Sequence, residues 1–156
     1  MKSIHKLSIL VLLSIICLLQ SCSSSKVTIS HDANLYAYKY IVFGQEDYSG
    51  NDDELNDIIL SVQNEIAKTN LRILSLPHAR NFALMENSVL SPSIAVKSEK
   101  WDGGHTYITI TFYDFATHRP VIILKSSGIG LSIKQDQKIA FKAIRKQIFK
   151  TFGKKY

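Results

Sequence analysis

Two cysteines, five histidines and thirteen carboxylates are the obvious chemical side chains of this 156-residue sequence, and their spacing narrows what they can do. His31, His78, His105 and His118 stand apart: no two lie at i, i+2 or i+4, and neither an HExxH motif nor a cysteine–histidine cluster occurs. A zinc site would have to be assembled by the fold alone. His105 lies near Asp102, and the pair reads as a strand end beside a turn. Asp52, Asp53, Glu54 and Asp57 crowd what reads as a helix start, where capping and the helix dipole account for them. An EF-hand reading of DYSGNDDE fails, because Gly50 comes too early and no glutamate closes a twelve-residue loop. The stretch SSGIG at 126–130 precedes a helix but lacks the lysine of a P-loop and the third glycine of a dinucleotide fingerprint. It reads as a sharp exit from a strand. There are many serines but no GxSxG elbow. These patterns predict no metal, no cofactor and no local catalytic constellation.

The cysteines point elsewhere. Lys2 and Lys6 precede thirteen mostly aliphatic positions, Leu7 to Leu19, after which the chain turns polar at Gln20. That is the order of a secretory signal peptide, and the run is shorter than the roughly 20 residues a membrane span needs. Leu19-Gln20-Ser21-Cys22 resembles the lipobox of bacterial lipoproteins, with an aliphatic residue, a small residue before the cysteine, and the cysteine itself. Bulky Ile16 before Cys17 makes that cysteine a poor rival. The resemblance implies a signal peptide over 1–21, acylation (palmitate among the chains) of Cys22, and a lipid anchor at a membrane. Ser23 resembles the default sorting signal for the outer membrane facing the periplasm. Ser23-Ser24-Ser25 reads as part of a flexible polar tether over 22–30, followed by one domain over 31–156. Cys17 leaves with the signal and Cys22 carries lipid, so no thiol remains for a disulfide, redox or nucleophilic role.

Residues 35–43, LYAYKYIVF, carry four aromatics and three aliphatics without a breaker, the pattern of a strand buried on both faces. After a polar break from Gly44 to Gly50, Asn51 or Asp52 is placed to cap a helix running to about Thr69. Its apolar stripe is Leu55, Ile58, Ile59, Val62 and Ile66. Asn70 is expected to turn left-handed and end it, and LRIL at 71–74 reads as a strand ended by Pro77. Residues 78–92 show little pattern beyond a turn of helix around Phe82 to Met85. SIAVKS at 93–98 reads as a short strand. HTYITITFYD at 105–114 alternates, with Ile108, Ile110 and Phe112 on one face and Tyr107, Thr109, Thr111 and Tyr113 on the other. A connection at 116–120 leads to a returning strand at 121–125, and a helix spans about Ser132 to Phe152.

The expected fold is α+β: a mixed β-sheet in the order β-α-β-β-β-β-α, with two helices packed on one face. YKYIVF, the helix to TNLRIL, and ITITFYDFATHRPVIILKSSGIG with its closing helix together resemble small Gram-negative envelope lipoproteins of unknown function. Their domain is similar to the amino-terminal domain of the Tol-system propeller protein and to the curli-secretion lipoprotein. In that pattern one strand ends on an aspartate, here Asp114, and the next closes on glycines, here Gly128 and Gly130. Two positions depart from it: Asn70 stands where a glycine is usual, and His118 stands in a turn where a glycine is common.

Formal net charge is +6, and it is uneven. From Lys134 onward there are eight Lys/Arg and one acidic residue, Asp136. A basic end on a mildly acidic body points to local electrostatics and away from general nucleic-acid binding. Phe141, Ile144, Ile148 and Phe152 form the core stripe of the last helix, while Lys138, Lys142, Lys146 and Lys150 step by four along an exposed face as a possible contact for acidic headgroups or an acidic partner. The expected function is a noncatalytic, membrane-anchored periplasmic lipoprotein that binds or supports an envelope protein, through a sheet edge that accepts a strand. The alternative is a hydrolase-like envelope enzyme with a site built from residues 78–105.

Overall fold

β5 (His105–Asp114) is the strand on which the rest is assembled. In the computed structural model, which describes residues 22–44, 53–84, 88–99 and 104–155, it pairs antiparallel with β4 (Val89–Glu99) and with β6 (Pro120–Ile129). Its alternation is as expected: Ile108, Ile110 and Phe112 are fully buried, and Tyr107, Thr109, Thr111 and Tyr113 share the other side. Beyond β4 lie β2 (Tyr40–Val42) and β3 (Arg72–Leu74); β2 runs parallel to both neighbours. Beyond β6 lies β1 (Cys22–Ile29), antiparallel to it. The six-stranded order is β1-β6-β5-β4-β2-β3. The sheet is mixed and the fold α+β, as the sequence predicts.

Helix α1 (Asp53–Ala67) crosses from β2 to β3, α2 (Leu76–Leu84) joins β3 to β4, and α3 (Ile133–Phe152) closes the chain. Val62 and Ile66 of α1 and Ala140, Ile144 and Ile148 of α3 share one core with Ile41, Leu90, Ile110, Ile122 and Leu124. Those two helices therefore lie on one face. The third, α2, is not in the expected order, and it packs on the opposite face: Ala79 and Phe82 meet Val42, Val89 and Tyr40. Adjacent strand residues such as Ile41 and Val42 point to opposite sides, which is why they belong to different cores.

Two expectations about local structure fail for identifiable reasons. LYAYKYIVF is not one strand, because Asn34 caps a 3-10 turn over Leu35–Ala37 by accepting the Tyr36 N–H at 3.2 Å. Tyr36 is left 93 % exposed, and only three residues pair. Residues 22–30 are not a free tether either, since eight of them are zipped to β6 from Cys22 opposite Ile129 to Ile29 opposite Ile122. Serines have poor strand propensity, but an edge strand is held by backbone bonds to a neighbour already in place.

The turns are also settled by side chains. Asn70 does not adopt a left-handed conformation; the Thr69 hydroxyl donates to the Ile66 carbonyl at 2.7 Å and receives the Leu71 N–H at 3.4 Å. His118 does, at φ 55°, in the hairpin position where glycine is common. Pro77 begins α2 instead of merely ending β3, in the first turn where its missing N–H is harmless. Ser132 caps α3 by accepting the Gln135 N–H, and the Gln135 side chain accepts the Leu131 N–H in return. The expected caps of α1, Asn51 and Asp52, and the expected signal peptide over 1–21 lie outside the described residues.

Candidate functional site

Cys22 is the first residue of β1, and the groove beside that strand is where the basic helix face meets it. Gln147 donates to the Ser25 hydroxyl at 2.7 Å, tying β1 to α3. Ser23, Ser25, Lys138, Lys142 and Lys146 line a groove of about 550 Å³ between the two elements. Three of the four lysines singled out by spacing are thus brought together next to the start of the strand. Lys150 is not with them: it lines a separate cleft of about 730 Å³ with Lys39, Asn70, Tyr36 and Phe152. A helix of 20 residues is about 30 Å long, so the stripe extends well beyond one Debye length of about 8 Å from the turn that follows Ile129.

The cation between those lysines has a structural task. Arg145 approaches Glu65 of α1 at 3.1 Å, and Lys68 binds the same carboxylate at 2.8 Å. The arginine contact is an ion pair off the hydrogen-bond line, so Oε2 of Glu65 makes no hydrogen bond of its own. This bridge fastens α1 to α3 above their shared core.

Asp136, the lone acid of the basic segment, has a place that spacing did not reveal. It is 1 % exposed, in the first turn of α3, and neither carboxylate oxygen has a hydrogen-bond partner among the described residues. Gly104 and Gly130 abut its two oxygens. The helix start provides a favourable field for that charge. Its position as the only acid among eight cations was the one signal in the sequence.

Asp114 organises the hairpin. Its Oδ1 accepts the Ala116 N–H (3.1 Å), the Thr117 N–H (2.8 Å) and the Thr117 hydroxyl (2.9 Å), while Tyr38 donates to Oδ2 at 3.0 Å. Burial pushes the carboxyl pKa up, but the Thr117 and Ala116 N–H groups and the two hydroxyls outweigh it and hold it below the ordinary 3.8. Burial first, then the bond to Asp114 and its charge, pushes the Tyr38 hydroxyl to about 12 from 10.0. A depressed carboxyl contributes stability above its unfolded value that is lost as pH falls through the folded one. A raised phenol contributes stability that is lost as pH rises from 10.0 through about 12. The midpoint of urea unfolding should therefore fall below pH 3.8 and again between pH 10 and 12. Tyr38→Phe should flatten the alkaline limb relative to wild type; equal limbs in the two proteins would exclude the pairing.

The residues of the alternative enzymatic site are not gathered. His78 sits on α2 and bonds Ser75 at 2.7 Å; His105 bonds the Tyr107 hydroxyl at 2.9 Å. α2 packs at the Val89 end of β4, whereas His105 pairs with Glu99 at its other end, about 33 Å along an eleven-residue strand. Asp102 lies outside the described residues. Among those residues, no cluster of three or more His, Cys, Asp or Glu is arranged to hold a metal ion. No helix among them is long and apolar enough to cross a membrane.

No family model and no curated protein matches the chain. Solved structures do share its fold. The PelC dodecamer from Paraburkholderia phytofirmans is similar at 13 % identity and a TM-score of 0.51, over 86 % of this chain and all of that one. A single-substitution variant of that dodecamer gives 16 % identity at the same TM-score and coverage. A PDZ domain protein from Parabacteroides distasonis gives 11 % identity and a TM-score of 0.50, over 87 % of this chain but 36 % of that one. At these identities the likeness is one of fold.

Proposed function

We propose that this protein is a lipid-anchored module of the bacterial cell envelope, held at the periplasmic side of the outer membrane through Cys22, that binds or supports a partner without catalysis. The observation that carries this reading is the position of Cys22, the last residue of a lipobox-like tetrapeptide, at the start of a sheet strand. With acyl chains on that residue, β1 and its eight register partners in β6 couple the lipid to the body of the domain without slack. Several chains on one cysteine give stable attachment, where one alone would be marginal. Lys138, Lys142 and Lys146 beside the same strand add attraction for acidic headgroups or an acidic partner, about 1 kcal/mol for each lysine near an anionic surface. β1 is also an edge of the sheet, and its outer side is suited to accept a strand from an envelope protein.

The test is metabolic labelling of cells expressing the full chain with an alkyne fatty acid, followed by fractionation. Wild type should be labelled, processed and found with membranes. Cys22→Ala should be unlabelled and should accumulate as uncleaved precursor. Normal processing and membrane recovery of the variant, or an unlabelled wild type, would overturn the assignment.

A further inference from the structure

The sheet has a second face, and four of its strands leave it open. Register places Ser24, Ser127, Tyr107 and Lys97 in one row across β1, β6, β5 and β4, and Lys26, Lys125, Thr109 and Ala95 in the next. Residues directly opposite in antiparallel strands project to the same side. This is the side away from α1 and α3, whose core takes Leu124, Ile110 and Ile94 instead. α2 covers it only at the β2 end. Over the rest, no helix among the described residues lies on it. Lys26, Lys125 and Lys97 are exposed, and Tyr107 is 38 % exposed.

One row carries a cost. Lys26 and Lys125 are directly opposite each other, with Cβ atoms about 5 Å apart by the geometry of such pairs, an arrangement that destabilises a sheet when the charges are alike. Among the described residues, no carboxylate is in ion-pair range of either. The next row shows how the sheet neutralises a lysine when it does so: Lys97 is paired with Glu99 at 3.2 Å. Hydroxyls flank the unpaired cations. Ser24 and Ser127 are 2.7 Å apart, Thr109 is next along the row, and the Tyr107 ring beside them is held by His105.

We propose that this open face binds an acidic polysaccharide, with Lys26 and Lys125 sharing one acidic group of the polymer. The surface complements such a chain in charge and in hydroxyl content: two cations at one spot, donors and acceptors in the adjoining row for sugar hydroxyls, and one ring for a sugar face. It does not resemble a single-stranded nucleic-acid platform, which needs a succession of rings for successive bases. Nor does it suit a bilayer, since among the described residues Tyr107 and Ile129 are the only large exposed apolar side chains on it. The inference does not depend on lipidation of Cys22, because it rests on the register of the sheet.

The experiment is biolayer interferometry of the full chain in nonionic detergent on immobilised polygalacturonate, with dextran and a thymidine oligonucleotide as comparison surfaces. Wild type should bind polygalacturonate in a salt-sensitive way and ignore dextran. Changing Lys26→Gln and Lys125→Gln together should weaken binding by about tenfold or more, and Tyr107→Ala should cause a smaller loss. Lys154→Gln with Lys155→Gln removes as much charge from the exposed segment that follows α3 and should leave binding unchanged. Melting temperatures separate binding from folding, since relieving the like-charge pair should leave the sheet variant at least as stable as wild type. Equal losses from the two double variants, equal binding to dextran, tighter binding to the oligonucleotide, or no binding to polygalacturonate would each overturn the proposal.

Discussion

Phe112→Ala should lower the stability of the domain by about 4 kcal/mol, a large fraction of the marginal stability of a protein of this size. Phe112 is fully buried near the end of β5, and its ring meets that of Phe152 edge to face, with centroids 4.9 Å apart. Across the strands it faces Pro92 and Ile122. Truncation removes the transfer energy of the ring and leaves a cavity between the sheet and the last turn of α3, which cannot close without moving the helix. The neighbouring Thr111 supplies the contrast, because it projects to the open face opposite Ile123 and Ser93. Thr111→Ala should cost no more than about 1 kcal/mol. Urea unfolding of the pair measures the difference. Similar midpoints for the two variants would mean that the side assignment of β5 is wrong.

Gly128→Ala should be nearly as damaging, at about 3 kcal/mol, although it adds a single methyl group. A Cβ at Gly128 would stand 2.5 Å from the backbone nitrogen of Ala140, 2.9 Å from Cβ of Ile139, and closer still to the carbonyl oxygen of Asp136. Two of these are helix backbone, so α3 as a whole must retreat. Retreat would stretch the bond by which Ser126 donates to the Ala140 carbonyl at 2.9 Å, and it would loosen Ile144 and Ile148 from the sheet. Small residues on both sides, Ser126 and Gly128 of β6 and Ala140 of α3, are what let the helix approach so closely. Gly44→Ala is the control: nothing lies within 4 Å of the Cβ it would add, so it should be neutral or slightly stabilising through the unfolded chain. A Gly128→Ala protein that unfolds at the wild-type urea concentration would contradict the close approach.

The two substitutions also mark how differently the two positions could be read in advance. Phe112 was legible because strand alternation is local, and ten residues of apolar–polar repeat leave one solution for which side is buried. Gly128 was recognised as a strand-closing glycine, but what it accommodates, the backbone of a helix eight to twelve residues further on, is a contact between elements. The same division explains the aromatic run at 35–43. Its composition suited a strand buried on both faces, yet Asn34 and the Asp114 carboxylate, the latter 76 residues from Tyr38, decide that the first half turns and the second half pairs.

By itself, then, the amino-acid sequence determined the elements whose pattern is carried by their own residues: the β5–β6 hairpin, the apolar stripes of α1 and α3, the Ser132 start of the last helix, the α+β class, and the cysteine set behind an apolar run. These follow from short-range periodicity, capping and steric preference, which act within one or two turns or one pleat. Only the tertiary structure decided that the serines after Cys22 form an edge strand, that α2 packs on the opposite face, that Asp136 is buried against two glycines, and that Lys26 faces Lys125. Each of those depends on a neighbour distant in sequence, and a residue's own type says little about which partner the folded chain will bring to it.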